Sequence, residues 1–265
     1  MTVRNVVSSF KPLSRFQAAG IHLGISALVA LAFLALVFFV WYPQPYFSIG
    51  GGQHLLVLLI CVDVTIGPLL TLLIFKAGKP GLKLDLSVIA ILQIAALVFG
   101  AGVITTARPA FVVFTIDRFI VVSANDITNE SWARAAHGRY TASPWTGPEL
   151  VSVPMPEDPK ARNALMIEVL SGSTDMSLEP RLYVPYREDT AKVLAHVQDM
   201  DKLGASPPEA VSAFLHDHDL KANTVGWLPL VGRTRSALML IQRSDATPLG
   251  LIDVDPWPFL SKHNP

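Results

Sequence analysis

The stretch Val62-Asp63-Val64-Thr65-Ile66-Gly67-Pro68-Leu69-Leu70-Thr71-Leu72-Leu73-Ile74-Phe75 places a carboxylate inside an apolar run that extends back to about His54. A run of that length is enough to cross a bilayer, whose hydrocarbon core takes about 20 apolar residues as helix. An acid at the centre of a spanning helix costs about 2.5–3.5 kcal/mol on insertion scales, so it faces protein or water rather than lipid. Asp63 is therefore the first candidate functional residue. One turn on, Pro68 lacks an N–H and frees the carbonyl of Val64, so Gly67-Pro68 predicts a helix kink.

A second apolar segment runs from about Gly20 to Tyr42 and a third from about Leu84 to Thr106. The first is longer than the apolar part of a cleaved signal peptide and ends in Trp41-Tyr42-Pro43, which predicts a retained anchor with Trp41 and Tyr42 at the headgroup boundary. The expected fold class is therefore a membrane α-helical domain of three transmembrane helices (about 20–42, 54–75 and 84–106) followed by a C-terminal α+β domain. Its parts are an N-terminal arm over 1–19, the helical domain over 20–106 and the soluble domain over 107–265. Composition agrees, with 51% hydrophobic and 16% charged residues and a mean hydropathy of +0.43.

The zero net charge hides a split. Six cations and two acids precede residue 107, a net +4, which leaves −4 for the remainder. The basic arm and the loop Lys76 to Lys83 fall on one side and the uncharged connection Pro43 to Gln53 on the other. The positive-inside rule then puts the N-terminus in the cytoplasm and everything after Thr106 in the periplasm of a bacterium, with the helices in the inner membrane. An acidic soluble half excludes a nucleic-acid partner. The single cysteine, Cys61, excludes an intrachain disulfide and leaves the redox compartment unreadable.

Beyond Arg108, Ala110 to Ile116 and Phe119 to Ser123 read as strands of a hairpin around Asp117-Arg118. Asp126 to Ala136 predicts a short helix, Gly138 to Pro156 a proline-rich loop, and Glu157 to Leu170 and Glu188 to Leu203 helices. Pro207-Pro208-Glu209 opens another helix to about Asp219. Val225 to Val231, Ala237 to Gln242 and Leu249 to Val254 are short strands. Strands, helices and strands in that order suggest a compact α+β domain of about 155 residues with its own core.

The polar residues of the three spans, with small or apolar residues in the same helical phase, recur every three or four positions: His22, Ser26 and Ala30; Asp63, Gly67 and Thr71; Asp85, Ile89, Gln93, Ala96 and Gly100. From helical rise, His22 and Asp85 lie near the cytoplasmic end and Gln93 near the level of Asp63. The expectation is an inward-facing seam in which His22 meets Asp85 and Gln93 hydrogen-bonds Asp63. Such a seam can glue the three helices together, receive another protein's transmembrane helix, or carry a proton or ion.

Other constellations carry less. His22 and His54 belong to opposite leaflets and cannot share a haem. His216-Asp217-His218-Asp219 offers metal-ligand types, but adjacent helical residues point apart, and a solvated helix end is the simpler reading. Ser171-Gly172-Ser173 does not match a nucleophile elbow, and the dinucleotide and phosphate-loop glycine patterns are missing. No catalytic residue, cofactor or metal is expected. Asp117, Arg118 and Trp227 are candidate partner contacts in the soluble domain, set against turn chemistry for the pair and core packing for Trp227, Trp257 and Phe259.

Taken together, His22-Leu23 with Ser26, Trp41-Tyr42-Pro43, Val62-Asp63-Val64 through Gly67-Pro68-Leu69-Leu70-Thr71, Lys83-Leu84-Asp85-Leu86, Gln93 with Ala96-Leu97, and Ala107-Arg108-Pro109 through Asp117-Arg118-Phe119 resemble the TfpX/TfpZ type IV pilin accessory proteins. The likeness is strong from about Ser14 to Ile127 and looser beyond, where Val225-Gly226-Trp227-Leu228-Pro229-Leu230 and Pro256-Trp257 continue it. The resemblance implies an inner-membrane accessory protein, or chaperone, that helps a cognate major pilin assemble into a type IV pilus alongside other inner-membrane assembly components. It implies no catalytic residue. A rival reading is a membrane-tethered periplasmic sensor or small-ligand-binding module, which the short cytoplasmic segments leave little means to signal.

Overall fold

The computed structural model describes residues 13–50, 56–57, 60–172, 175–204 and 206–261. They form two compact units, one within Met1–Leu36 and His54–Ile104 and the other within Val37–Gln53 and Thr105–Pro265. His54, Ser173 and the cations Arg4 and Lys11 lie outside the described residues.

The first unit holds helix α1 (Arg15–Leu36), a π-helical turn over Val62–Ile66 that leads into α3 (Gly67–Ile74), and α4 (Leu82–Thr106). Helix α2 (Tyr46–Gly50) belongs to the second unit. α1 starts five residues before the apolar segment because Ser14 and Gln17 close a capping box. The Gln17 N–H donates to Ser14 Oγ at 3.2 Å and the Ser14 N–H to Gln17 Oε1 at 3.0 Å. α4 follows a turn in which Gly78 and Gly81 take φ of +79° and +80°, a region that disfavours residues with a Cβ. Two helices among the described residues are long and apolar enough to cross a membrane, Arg15–Trp41, which includes a π-helical turn at Val37–Trp41, and α4. The described helix of the middle segment, Val62–Ile74, is shorter.

The second unit is an α/β domain on an eight-stranded sheet. Its strands are β1 (Pro109–Thr115), β2 (Arg118–Ser123), β3 (Glu149–Val153), β4 (Val184–Pro185), β5 (Gln198–Asp199), β6 (Val225–Val231), β7 (Ser236–Gln242) and β8 (Pro248–Ile252). The order is β4-β3-β1-β2-β6-β7-β8, and β2 and β5 share one edge of β6. β1 and β2 form the expected hairpin, with Thr115 opposite Arg118, while β1/β3 and β2/β6 are parallel. The mixed sheet replaces a simple segregation of strands and helices. Parallel neighbours need crossovers, and α5 (Asn129–Arg134) lies in one of them.

Alternation along the strands sorts the side chains into cores on both faces. Val112, Phe114, Phe119, Leu228, Leu230, Met239 and Ile241 form one core with Val193 of α7 (Thr190–His196). The alternate residues of β1 to β3, among them Phe111, Val113, Val122, Val151 and Val153, form a second with Leu165 of α6 (Pro159–Gly172). Val225, Trp227, Leu238 and Leu240 form a third with Val211 of α8 (Glu209–Asp217). Coverage on both faces explains why β1 is buried along its whole length and why its sequence is continuously apolar.

Three expectations change. Glu149–Val153 is a strand inside what reads as a proline-rich loop: Pro148 and Pro154 flank it without interrupting it. Glu188 to Leu203 is not one helix. It divides into α7, β5 and a 3₁₀ turn at Met200–Leu203; α7 buries Val193 and the turn buries Met200 and Leu203, apolar residues that recur at helical spacing. The connection after Tyr42 packs on the second unit, where the Ile49 carbonyl accepts from the Thr234 N–H at 3.2 Å and Oγ1 at 3.0 Å. Trp41 and Tyr42, expected to stand at a headgroup boundary, are buried by protein in this unit; Trp41 packs edge-on against Trp145, with ring centroids 5.7 Å apart.

Candidate functional site

In the first unit, α1 presents His22, Ile25, Ser26 and Val29, and α4 presents Ala90, Gln93, Ile94 and Leu97. Both sets follow the i, i+3, i+4, i+7 spacing of a single helical face. They line a groove of about 220 Å³ to which the middle segment contributes Asp63. Asp63 is only 8% exposed, and its Oδ1 has no hydrogen-bond partner among the described residues.

The middle segment reaches this arrangement through its π-helical turn. In the π pattern each N–H bonds five residues back, so the donor for the Asp63 carbonyl would be residue 68. That residue is Pro68, which has no N–H. Gln93 supplies the missing donor from α4, its Nε2 lying 3.1 Å from the Asp63 main-chain oxygen. Gly67 gives Gln93 the room, since a Cβ there would lie 2.1 Å from Gln93 Nε2. Asp63, Gly67, Pro68 and Gln93 thus form one device, in which a side-chain amide repairs a backbone defect. The expected contact between Gln93 and Asp63 is made to the main chain, and the carboxylate is left over.

His22 and Asp85 do not pair. His22 Nδ1 is 2.6 Å from Oγ1 of the buried Thr71, while Asp85 Oδ2 accepts from Lys79 Nζ at 2.6 Å at the start of α4. A lysine six residues away in a tight turn reaches Asp85 more easily than a ring on another helix. Asp85 therefore belongs to the loop, and His22, Asp63 and Gln93 belong to the groove.

In the second unit, Arg118 forks onto Asp117, with Nε to Oδ1 at 2.7 Å and Nη2 to Oδ2 at 3.1 Å, and its guanidinium lies 5.1 Å from the Trp257 ring centroid. Both members of the pair are partly exposed. Trp227 is fully buried and donates from Nε1 to the Asp199 carbonyl at 3.0 Å, so it is a core residue and cannot be a partner contact. His218 stacks on Phe214, His216 is exposed, and among the described residues no cluster of three or more His, Cys, Asp or Glu is placed to hold a metal.

Two polar centres escape sequence reasoning. Arg108 is buried with no carboxylate partner among the described residues; it donates from Nη1 to the Thr105 carbonyl at 2.6 Å and from Nη2 to the Pro144 carbonyl at 2.7 Å, with Trp145 5.3 Å beneath it. Glu179 is buried and accepts from Ser131 Oγ and Arg134 Nε, each at 3.1 Å, and from Arg181 Nε at 3.3 Å. Burial alone pushes the Glu179 carboxyl up, but the bonds from Arg134 and Ser131 and the charges of Arg134 and Arg181 outweigh it and hold the pKa below the usual glutamate value. Ser131 and Arg134, 48 and 45 residues away, leave no local signal beside Glu179.

Residues 10–51 match the family model described as fimbrial assembly protein FimB. The chain is 31% identical over 246 residues to the fimbrial assembly protein of serogroup E1 from Dichelobacter nodosus, which covers 90% of this chain and 95% of that protein. The serogroup I protein of the same organism gives the same identity and coverage. The protein of serogroups C1 and C2 is 41% identical over 114 residues, 42% of this chain and 86% of that protein. No solved structure matches.

Proposed function

We propose that this chain, which belongs to the FimB family of fimbrial assembly proteins, assists assembly of a cognate type IV fimbrial subunit from the bacterial inner membrane. The observation that carries this is the 31% identity extending over 95% of a relative named as a fimbrial assembly protein. In this reading the chain crosses the membrane three times, with the arm and the loop Lys76 to Lys83 in the cytoplasm and the α/β domain in the periplasm. The loop lysines and the apolar character of α1 and α4 support that orientation.

The subunit is engaged in two places. Its membrane-spanning helix lies along the groove of His22, Asp63 and Gln93, and its head meets the exposed surface of the α/β domain near Asp117 and Arg118. A buried acid left over after the helices have satisfied their own backbone supports the first contact, because a seam serving only to glue three helices would pair it. Affinity stays modest, since the subunit must leave for the fibre. Co-purification of the fimbrial subunit with the full-length chain in mild detergent tests this. The subunit is expected to be retained by the parent chain and lost with Asp63→Leu; unchanged capture would contradict the groove contact.

A further inference from the structure

We propose that the groove seats one basic group, an amine or a guanidinium, carried on the fimbrial subunit's membrane-spanning helix and paired with the Asp63 carboxylate. This deepens the helix contact described above and rests on it. A buried acceptor without a partner bears its full desolvation penalty, and more when charged, so the Asp63 carboxylate calls for a donor. None of the first unit's described cations lines the groove, and Lys79, in the loop before α4, is engaged by Asp85.

Size and lining select the occupant. A volume of about 220 Å³ takes one long side chain but not a helix, which is about 10 Å across. Ile25 and Ile94 on the rim are more than half exposed, so the edge of the groove is open to an entering side chain. Ile25, Val29, Ile94 and Leu97 offer apolar surface to a methylene stem, and the carboxylate offers the head its charge. An acidic occupant is repelled by Asp63, and a purely apolar one leaves Oδ1 unmet.

The test places a photoreactive benzoylphenylalanine at Ile25 or Ile94 of the full-length chain, co-expressed with the fimbrial subunit in membranes, and maps the adducts by mass spectrometry. The subunit is expected in the adduct, joined within a side chain's reach of a lysine, an arginine or a free amino terminus. Asp63→Asn should lower its yield about tenfold, and Asp63→Glu should retain most of it. Adducts that map to a segment with no basic group, or whose yield is unchanged in Asp63→Asn, overturn the basic-group assignment and leave the helix contact standing. No subunit adduct from either position, or adducts only with lipid or a second copy of this chain, overturns the helix contact and the assignment together. Because mapping is done on the parent chain, the assignment remains testable if the Asp63 variants fail to fold.

Discussion

Gly67 and Gln93 act through one atom, the Asp63 carbonyl, and should therefore behave as a coupled pair. Gly67→Ala displaces the amide and Gln93→Ala deletes it, so each costs about 1 kcal/mol, and the double variant costs little more than either alone. Thermal unfolding of the four proteins in detergent checks this; additive losses would separate the two residues. A second residue-scale expectation concerns Ile116, a β-branched residue at φ +52° on the tip of the β1–β2 hairpin, 53% exposed. A turn with positive φ at its first central position favours glycine. Ile116→Gly should raise stability by up to about 1 kcal/mol, read as a higher unfolding temperature. Asp63 was conspicuous from sequence as a charge in an apolar run. That its main chain, not its carboxylate, meets Gln93 was not, because no composition signal announces a π-helical turn.

Among the elements, α5 is held to the turn at Pro180–Leu182 by Glu179, which joins Ser131, Arg134 and Arg181. Glu179→Gln should cost about 1–3 kcal/mol at neutral pH. The lowered pKa fixes the sign of the pH dependence: the unfolded chain binds the proton first as pH falls, so the contribution is complete above the ordinary glutamate range near about 4.3 and fades as pH drops through the folded-state value. The deficit of Glu179→Gln should shrink under acid denaturation, and a deficit that grew would contradict the assignment. The β1–β2 hairpin and the separate strands β6 and β7 were readable from their apolar runs, the hairpin because its contacts are local. β3 was masked by its flanking prolines, and α7 with the 3₁₀ turn at Met200–Leu203 mimicked one long helix, because burying Val193, Met200 and Leu203 demands only that they face inward.

For the molecule as a whole, local pattern located the apolar helices and the change of texture near Arg108, yet it could not supply the strand order. The parallel neighbours β1/β3 and β2/β6 are separated by long stretches of chain, and pairing across them depends on how both faces of the sheet are covered. The division of labour proposed between groove and α/β domain has its own test. Exchanging residues 107–265 between relatives that serve different subunits should transfer subunit preference with the exchanged part. A role in fimbrial assembly is tested by counting surface fimbriae by electron microscopy in a strain deleted for this chain and in the same strain carrying it on a plasmid. Fimbriae should be lost while the subunit is still made and return with the plasmid; undiminished fimbriae in the deletion strain would contradict a role in fimbrial assembly.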